Sequence, residues 1–134
     1  MDKRGTIYWV GSGPGNPNLI TVKGLSLLQE ADAIVTNVLE QAQLLRQARE
    51  DVQIHNVGSI STGDKMRQDA VNQLLVDLGQ RFGTTVRLWS GDPFVFGRAA
   101  EEMAAARRAG LRVELVPGVT SAVAGPAYAG VPVT

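Results

Sequence analysis

Three glycine-containing segments of the chain carry the polar groups best suited to hold a small ligand. Glycine lets a backbone approach a ligand closely, the carboxylate of Asp92 can accept from an ammonium or hydroxyl group, and the hydroxyls of Thr120 and Ser121 both donate and accept. The segments are Gly11-Ser12-Gly13-Pro14-Gly15-Asn16-Pro17, Ser90-Gly91-Asp92-Pro93-Phe94-Val95-Phe96-Gly97-Arg98 and Pro117-Gly118-Val119-Thr120-Ser121. These residue types favour binding of a polar organic molecule.

The first segment begins like a dinucleotide-binding loop but departs from that pattern. Asn16 stands where a Rossmann loop has its third glycine, and Pro14 and Pro17 remove two N–H groups from any phosphate cradle. Asn37 stands where an acidic ribose ligand is expected. NAD binding is therefore disfavoured, and a tight turn without a ligand remains an alternative for this segment taken alone.

The other two segments also have purely structural interpretations. Asp92 can serve as the N-cap of a helix that has Pro93 at its first position. The hydroxyls of Thr120 and Ser121 suit a helix cap equally well. No single segment decides the function.

Five short apolar runs alternate with stretches of helical spacing. The runs predict strands over residues 6–10, 33–36, 52–55, 85–89 and 112–116. The clearest helical face is formed by Met66, Ala70, Val71, Leu74, Leu75 and Leu78. Two more helices are predicted, one with Thr21 as its N-cap and one with Gly110 as its C-cap.

This alternation requires crossover connections and therefore predicts an α/β fold with a five-stranded, mostly parallel sheet flanked by helices. Ligands of such sheets bind beyond the carboxyl ends of the strands, where the three segments lie. We predict one domain over residues 1–125. An interdomain linker is expected to begin over residues 126–134, where glycine and proline replace the helical pattern.

The composition excludes several functional classes. The chain has 134 residues, of which 44% are hydrophobic, and its 13 basic residues balance its 13 acidic ones. Because such a chain has no net positive field, we expect no nucleic-acid partner. It also lacks an apolar run near the roughly 20 residues that span a bilayer, and it lacks a signal-peptide core. A cytoplasmic protein without membrane association is expected.

The scarcity of metal-binding and nucleophilic side chains narrows the chemistry further. The chain has no cysteine and a single histidine, His55. This excludes disulfides, zinc-thiolate sites, thiol nucleophiles and His-based triads, and we predict no metal site. Chemistry here must use backbone groups, hydroxyls, carboxylates or a reactive cofactor.

Taken together and in order, the motifs resemble those of the tetrapyrrole methylase family of S-adenosylmethionine-dependent methyltransferases. The matching stretches are Val10-Gly11-Ser12-Gly13-Pro14-Gly15 with Leu19 to Gly24, Gly91-Asp92-Pro93-Phe94-Val95-Phe96-Gly97-Arg98 with Glu101-Glu102, and Val116-Pro117-Gly118-Val119-Thr120-Ser121 with Ala127 to Pro132. Within the family, they are most similar to the members that methylate uroporphyrinogen III in the sirohaem and cobalamin pathways.

The resemblance implies a two-domain, homodimeric enzyme that holds S-adenosylmethionine between its domains and methylates a carbon of a tetrapyrrole. This chain would be the first domain, and we expect it to be inactive alone because half of the cleft is absent. The cofactor-binding positions carried over by motif are Pro14, Ser90, Gly91, Asp92, Val95, Thr120 and Ser121.

The chain departs from its relatives at the positions of a proposed base and a proposed acid. The uroporphyrinogen enzymes usually carry Tyr-Asp-Arg after the second strand, where this chain has Thr36-Asn37-Val38. Their Gly-Lys-Arg after the third strand is replaced by Gly58-Ser59-Ile60. Asn37 cannot accept a proton and Ser59 brings no cation, so the resemblance leaves the catalytic residues unknown.

Three other functions stay open beside methylation of uroporphyrinogen III. A precorrin methyltransferase is favoured by Ser90, since a Ser-Gly-Asp turn is more like that of the cobalamin-pathway enzymes, but it is disfavoured by the sequence from Phe94 to Arg98. A degenerate, non-catalytic module that binds the cofactor or a tetrapyrrole is suggested by Asn37 and Ser59. A nucleotide-binding regulatory domain ranks last.

Overall fold

The computed structural model describes residues 5–37, 41–59 and 64–134. Within these ranges, strands and α-helices alternate along the chain. They are β1 (Thr6–Gly11), α1 (Val22–Glu30), β2 (Ala33–Thr36), α2 (Ala42–Leu45), β3 (Gln53–Asn56), α3 (Asp64–Arg81), β4 (Thr84–Trp89), α4 (Ala99–Arg108), β5 (Arg112–Val116) and α5 (Ser121–Tyr128). Short 3₁₀ turns occupy Pro17–Leu19 and Val57–Ser59. No helix in the described ranges is long and apolar enough to cross a membrane.

The strands form one parallel sheet in the order β3-β2-β4-β1-β5. β1 lies between β4 and β5, so that Val10 is level with Leu88 on one side and with Val116 on the other. The predicted α/β fold with a five-stranded sheet is confirmed, and the observed strands start or end within one residue of the predicted ones. The carboxyl ends of β4, β1 and β5 are therefore neighbours.

Helices cover both faces of the sheet, which explains why β2 is buried over its whole length and β4 is buried from Thr85 to Leu88. Trp9 and the next residue, Val10, are fully buried on opposite faces because successive side chains of a strand point in opposite directions. Trp9 belongs to the core that contains Leu75 of α3 and Met103 of α4. Val10 belongs to the core that contains residues of α1 and α2.

Two helix boundaries follow the predicted caps. The Thr21 hydroxyl accepts a hydrogen bond from the Gly24 N–H at 2.9 Å, and α4 is followed by Gly110 with φ +82°. α5 continues to Tyr128, so the expectation that the helical pattern is lost from Gly125 onward is wrong for residues 125–128. Pro126 lies inside α5. Only the carbonyl of Ala122 loses a helical donor to it, and Ala122 is exposed to water.

Candidate functional site

The three glycine-containing segments meet at the edge of the sheet where β4, β1 and β5 end. The Ser12 N–H donates to the Trp89 carbonyl at 2.7 Å. Gly13 and Gly91 exchange two backbone hydrogen bonds, of 3.2 and 2.8 Å, and form an isolated antiparallel bridge beyond the sheet. The segment after β1 is thus fixed to the segment after β4.

Glycine is required where these segments touch, because their main chains are in direct contact. A Cβ atom added to Gly11 would lie 2.5 Å from the carbonyl oxygen of Gly91, and one added to Gly118 would lie 2.1 Å from the same atom. Gly91 also has φ +66°, which disfavours any residue with a side chain. The base of the site is therefore backbone packed on backbone.

Asp92 joins the loop after β4 to the loop after β5. Its Oδ1 accepts from the Phe94 N–H at 2.8 Å, and its Oδ2 accepts from the Gly118 N–H at 3.0 Å. The alternative interpretation of Asp92 as a helix N-cap is wrong, because α4 begins only at Ala99 and has Arg98 at its N-cap position. Each carboxylate oxygen keeps a second lone pair that a ligand can use.

The seven positions that the family resemblance implies for cofactor binding line one open pocket of about 310 Å³, together with Phe96 and Ala122. They are Pro14, Ser90, Gly91, Asp92, Val95, Thr120 and Ser121. The pocket mixes hydroxyls, a carboxylate and an apolar wall, as binding sites for small organic molecules commonly do.

The start of α5 contributes both a cap and a polar wall to this pocket. The Thr120 hydroxyl accepts from the Ala122 N–H at 3.4 Å, which makes Thr120 the N-cap, and Ser121 is the first helical residue. The interpretation of the Thr120 hydroxyl as a helix cap is thus correct. It is compatible with a binding role, because Thr120, Ser121 and Ala122 all line the pocket.

Phe96 is a pocket residue that sequence reasoning did not select. Its side chain is 91% exposed and its backbone is left-handed, with φ 60°. This conformation is uncommon for a bulky residue and costs roughly 1–3 kcal/mol. The following Gly97 packs on Trp89, since a Cβ there would lie 2.3 Å from the indole Cζ2. Trp89 is half-buried and packs against the core.

A second, smaller pocket of about 60 Å³ adjoins the first. Pro14 and Ser90 line both pockets, and Ser12 and Gln41 line only the smaller one. The Thr36 hydroxyl donates to Gln41 Oε1 at 2.7 Å, and Gln41 Nε2 donates to Ser12 Oγ at 2.5 Å. These bonds connect the end of β2 to the loop after β1.

A buried ion pair lies beneath this region and was also missed by sequence reasoning. Arg87 and Glu102 are each 1% exposed. The guanidinium binds the carboxylate through two hydrogen bonds, Nε to Oε1 at 2.9 Å and Nη2 to Oε2 at 3.1 Å. Trp9 Nε1 donates to Oε1 at 3.0 Å and Gln68 Nε2 donates to Oε2 at 3.1 Å. The charge of Glu102 is thus fully solvated by protein groups.

Asn37 extends this network to the surface at the end of β2. Arg87 Nη1 donates to Asn37 Oδ1 at 2.5 Å, and Asn37 is exposed. The turn after β3 lies beside it, since a Cβ added to Gly58 would be 2.3 Å from the Asn37 carbonyl oxygen. That turn contains Ser59, whose side chain lies outside the described part of the structure. The two segments that carry the departures from the family pattern are therefore in contact.

The described residues contain no group of three or more His, Cys, Asp and Glu side chains that could hold a metal ion. His55 lies on the edge strand β3, where its Nε2 is 3.4 Å from Gln53 Oε1. The groups gathered at the site are hydroxyls, amides, one carboxylate and exposed main chain.

Comparison with known proteins identifies the family of this chain. Residues 6–134 match the model of the tetrapyrrole (corrin/porphyrin) methylases. The chain belongs to this family. It is 44% identical over 130 residues to the uroporphyrinogen-III C-methyltransferase of Priestia megaterium, covering 97% of this chain and 55% of that protein. It spans 27% of the length of two other curated relatives, a uroporphyrinogen-III C-methyltransferase of Bacillus subtilis and the siroheme synthase of Mannheimia succiniciproducens.

Solved structures of methyltransferases share the fold. A uroporphyrin-III C-methyltransferase from Thermus thermophilus, complexed with S-adenyl homocysteine, has a TM-score of 0.78 and 39% identity, covering 90% of this chain and 51% of that one. A cobalt precorrin-4 methyltransferase has a TM-score of 0.82 and 32% identity, covering 93% of this chain and 50% of that one. The predicted family is thus confirmed by sequence and by fold.

Proposed function

We propose that this tetrapyrrole methylase chain supplies one side of the cofactor cleft of an S-adenosylmethionine-dependent C-methyltransferase that acts on uroporphyrinogen III. The pocket beyond β4, β1 and β5 carries the proposal, because it brings together the seven positions implied for cofactor binding. The Thermus thermophilus relative with S-adenyl homocysteine supports the same cofactor class.

The residues of the pocket fit S-adenosylmethionine chemically. The Ser90, Thr120 and Ser121 hydroxyls and the free lone pairs of Asp92 suit the ribose hydroxyls and the amino-acid end. Val95, which is 39% exposed, offers an apolar surface to the adenine. A Cβ on Gly91 would point toward Thr120, 4.0 Å from its Cα, so glycine leaves main chain accessible to the ligand.

In such an enzyme the protein mainly binds the methyl donor and the substrate and orients them. S-adenosylmethionine, when bound, supplies a methyl group that its sulfonium already activates. The chain's task is to hold the donor in line with the receiving carbon, and such positioning can supply about 7–11 kcal/mol of the barrier. The loops of Gly13, Gly91 and Gly118 suit this task, because hydrogen bonds to backbone or to Asp92 fix all three.

We place the tetrapyrrole on the side of the smaller pocket, toward Ser12 and Gln41. Ser12, Gln41 and Thr36 form a connected row of polar side chains there. The same proposal includes a second domain that completes the cleft, a homodimeric assembly and a cytoplasmic location. The balanced charge of the chain supports a small-molecule substrate rather than nucleic acid.

A precorrin methyltransferase is the second candidate. Ser90 favours it, and so does the similarity to the cobalt precorrin-4 methyltransferase. Asn37 favours it as well, since an amide cannot take the proton that a base at this position would remove in the uroporphyrinogen reaction.

The test is methyl transfer by the full-length protein that contains residues 1–134. It is incubated with methyl-labelled S-adenosylmethionine and, in separate reactions, uroporphyrinogen III, precorrin-2 and precorrin-4. We expect label in the product of uroporphyrinogen III. Label only in a precorrin product would favour the second candidate. Binding of S-adenosylhomocysteine without transfer to any of the three would make the protein a non-catalytic binding module.

A further inference from the structure

Phe96 combines two features that are unfavourable in the absence of a ligand. Its side chain is 91% exposed, and its backbone is left-handed, with φ 60°. A bulky residue rarely adopts this conformation, and such strained positions are typical of ligand-binding sites. Phe96 also lines the pocket proposed for the cofactor. The ring is thus held beside that pocket with most of its surface open to a ligand.

The residues on both sides of Phe96 hold its backbone in this conformation. Before it, the Val95 N–H donates to the Asp92 carbonyl at 3.1 Å. After it, Gly97 has φ +81° and packs closely on Trp89, since a Cβ there would lie 2.3 Å from the indole Cζ2. Because the loop is fixed on both sides, Phe96 keeps its place at the edge of the pocket.

The charge of the pocket limits how it can hold a cation. Asp92 is the one residue with a formal charge among the described residues that line it, and both carboxylate oxygens already accept backbone hydrogen bonds. A cation is also attracted to the face of an aromatic ring within about 6 Å of the ring centroid. Phe96 is the one aromatic residue among the same lining residues. The nearby Trp89 already has a cation over its ring, because the Arg87 guanidinium carbon lies 4.5 Å from the centroid.

We propose that Phe96 binds the sulfonium of S-adenosylmethionine with the face of its ring, so that the pocket prefers the charged methyl donor to the neutral product, S-adenosylhomocysteine. The inference rests on the proposed function for its cofactor. A sulfonium carries three carbon substituents and no N–H or O–H, so it cannot use the hydroxyls of the pocket as hydrogen-bond acceptors in the way an ammonium can. Once the methyl group has left, the sulfur is a neutral thioether and the attraction to the ring is lost, which favours release of the product.

The ratio of the dissociation constants of the two ligands tests this role without requiring turnover. The full-length protein that contains residues 1–134 is titrated by calorimetry with S-adenosylmethionine and, separately, with S-adenosylhomocysteine. Phe96→Leu keeps an apolar side chain but removes the aromatic face. We expect it to weaken S-adenosylmethionine binding roughly 3- to 30-fold more than S-adenosylhomocysteine binding. Phe96→Tyr keeps the aromatic face and should leave the ratio within about twofold of the unmodified protein.

The matched control is Phe94→Leu, which makes the same change in the same loop. Phe94 is 55% exposed and is not among the residues that line the pocket. Its substitution should leave the ratio unchanged, and the same selective loss in Phe94→Leu would overturn the proposal. Equal losses for both ligands in Phe96→Leu, as simple packing against the adenine would give, would overturn it too, and so would the absence of any loss.

The strained backbone supplies a second test, in which stability and binding change in opposite directions. Asparagine tolerates the left-handed conformation better than phenylalanine does, and the exposed ring contributes little packing to the fold. Phe96→Asn should therefore raise the midpoint of chemical denaturation while it removes the preference for S-adenosylmethionine. A lower midpoint would show that the ring serves the fold and would overturn the proposal.

The outcomes separate this inference from the proposed function. Methyl transfer to a tetrapyrrole by a protein whose ligand ratio does not depend on Phe96 would overturn only the inference. A ratio that depends on Phe96 in a protein that methylates none of the three tetrapyrroles would overturn only the proposed function. Absence of S-adenosylmethionine binding in the unmodified protein would overturn both.

Discussion

The Asp92→Ala substitution removes the carboxylate that joins the loop after β4 to the loop after β5. Two backbone donors lose their partner, Phe94 N–H and Gly118 N–H. Phe94 is exposed, so water replaces the carboxylate there, whereas the bond to Gly118 is partly buried. Because the Gly118 N–H is left without its partner, we expect the free energy of unfolding to fall by about 1–3 kcal/mol.

The same substitution should weaken cofactor binding by about 1–3 kcal/mol, since Asp92 lines the pocket and an ammonium or ribose hydroxyl of the ligand would lose its acceptor. This corresponds to roughly 5- to 150-fold in the dissociation constant. The assay is calorimetric titration of the folded full-length protein with S-adenosylhomocysteine, combined with chemical denaturation.

Asp77→Ala is the control, because Asp77 is an exposed aspartate of α3 whose described partner is Gln73. It should change neither quantity. An S-adenosylhomocysteine affinity within twofold of the unmodified protein in Asp92→Ala would refute the binding role and leave the carboxylate as a link between loops. Unchanged stability would refute the link.

Other predictions concern the charged groups. Glu102→Ala should lower the free energy of unfolding by about 3–5 kcal/mol, measured by denaturation, because Arg87 is left as an unpaired buried charge. Asn37→Asp combined with Ser59→Lys should not accelerate methylation of uroporphyrinogen III, because Arg87, which donates to Asn37 Oδ1, would hold the new carboxylate in an ion pair and weaken it as a base; a rise of about 10²–10⁴-fold would contradict this. The hydrogen bond from Arg49 lowers the pKa of Asp51, so the stability that this carboxylate contributes is present above its usual pKa and is lost as pH falls through the lowered pKa. Asp51→Asn should remove this loss when the free energy of unfolding is measured against pH in acid. An unchanged pH profile would contradict the prediction.

The fold and the three loops that line the pocket could be predicted from the sequence because their signals are local. Apolar runs and helical spacing gave the order of elements, and parallel strands then forced the loops after β1, β4 and β5 to one edge. The seven pocket positions followed from family motifs in those loops. Whether they bind S-adenosylmethionine stays a prediction, as do the domain division at residues 125 and 126 and the dimer.

What sequence reasoning missed depends on contacts between distant residues. Arg87 lies in β4 and Glu102 in α4, and neither position signals a partner along the chain, although an arginine inside an otherwise apolar strand was a usable clue. The interpretation of Asp92 as a helix N-cap was wrong because the left-handed residues Phe96 and Gly97 prolong the loop, so that α4 begins only at Ala99. Pro126 led to the wrong expectation that the helical pattern is lost there, since a single proline removes just one hydrogen bond from an exposed helix.

The backbone contact among Gly11, Gly91 and Gly118 also links the pocket to the order of folding. Gly11 ends β1, and Gly91 and Gly118 lie in the loops after β4 and β5, so their contact forms only after the long intervening segments have closed. A nascent or partly unfolded chain therefore has no binding site, and a ligand of the pocket binds the native state alone. Cofactor concentration should then control how much of the protein survives in the cell, because each bound molecule withdraws native protein from the unfolding equilibrium.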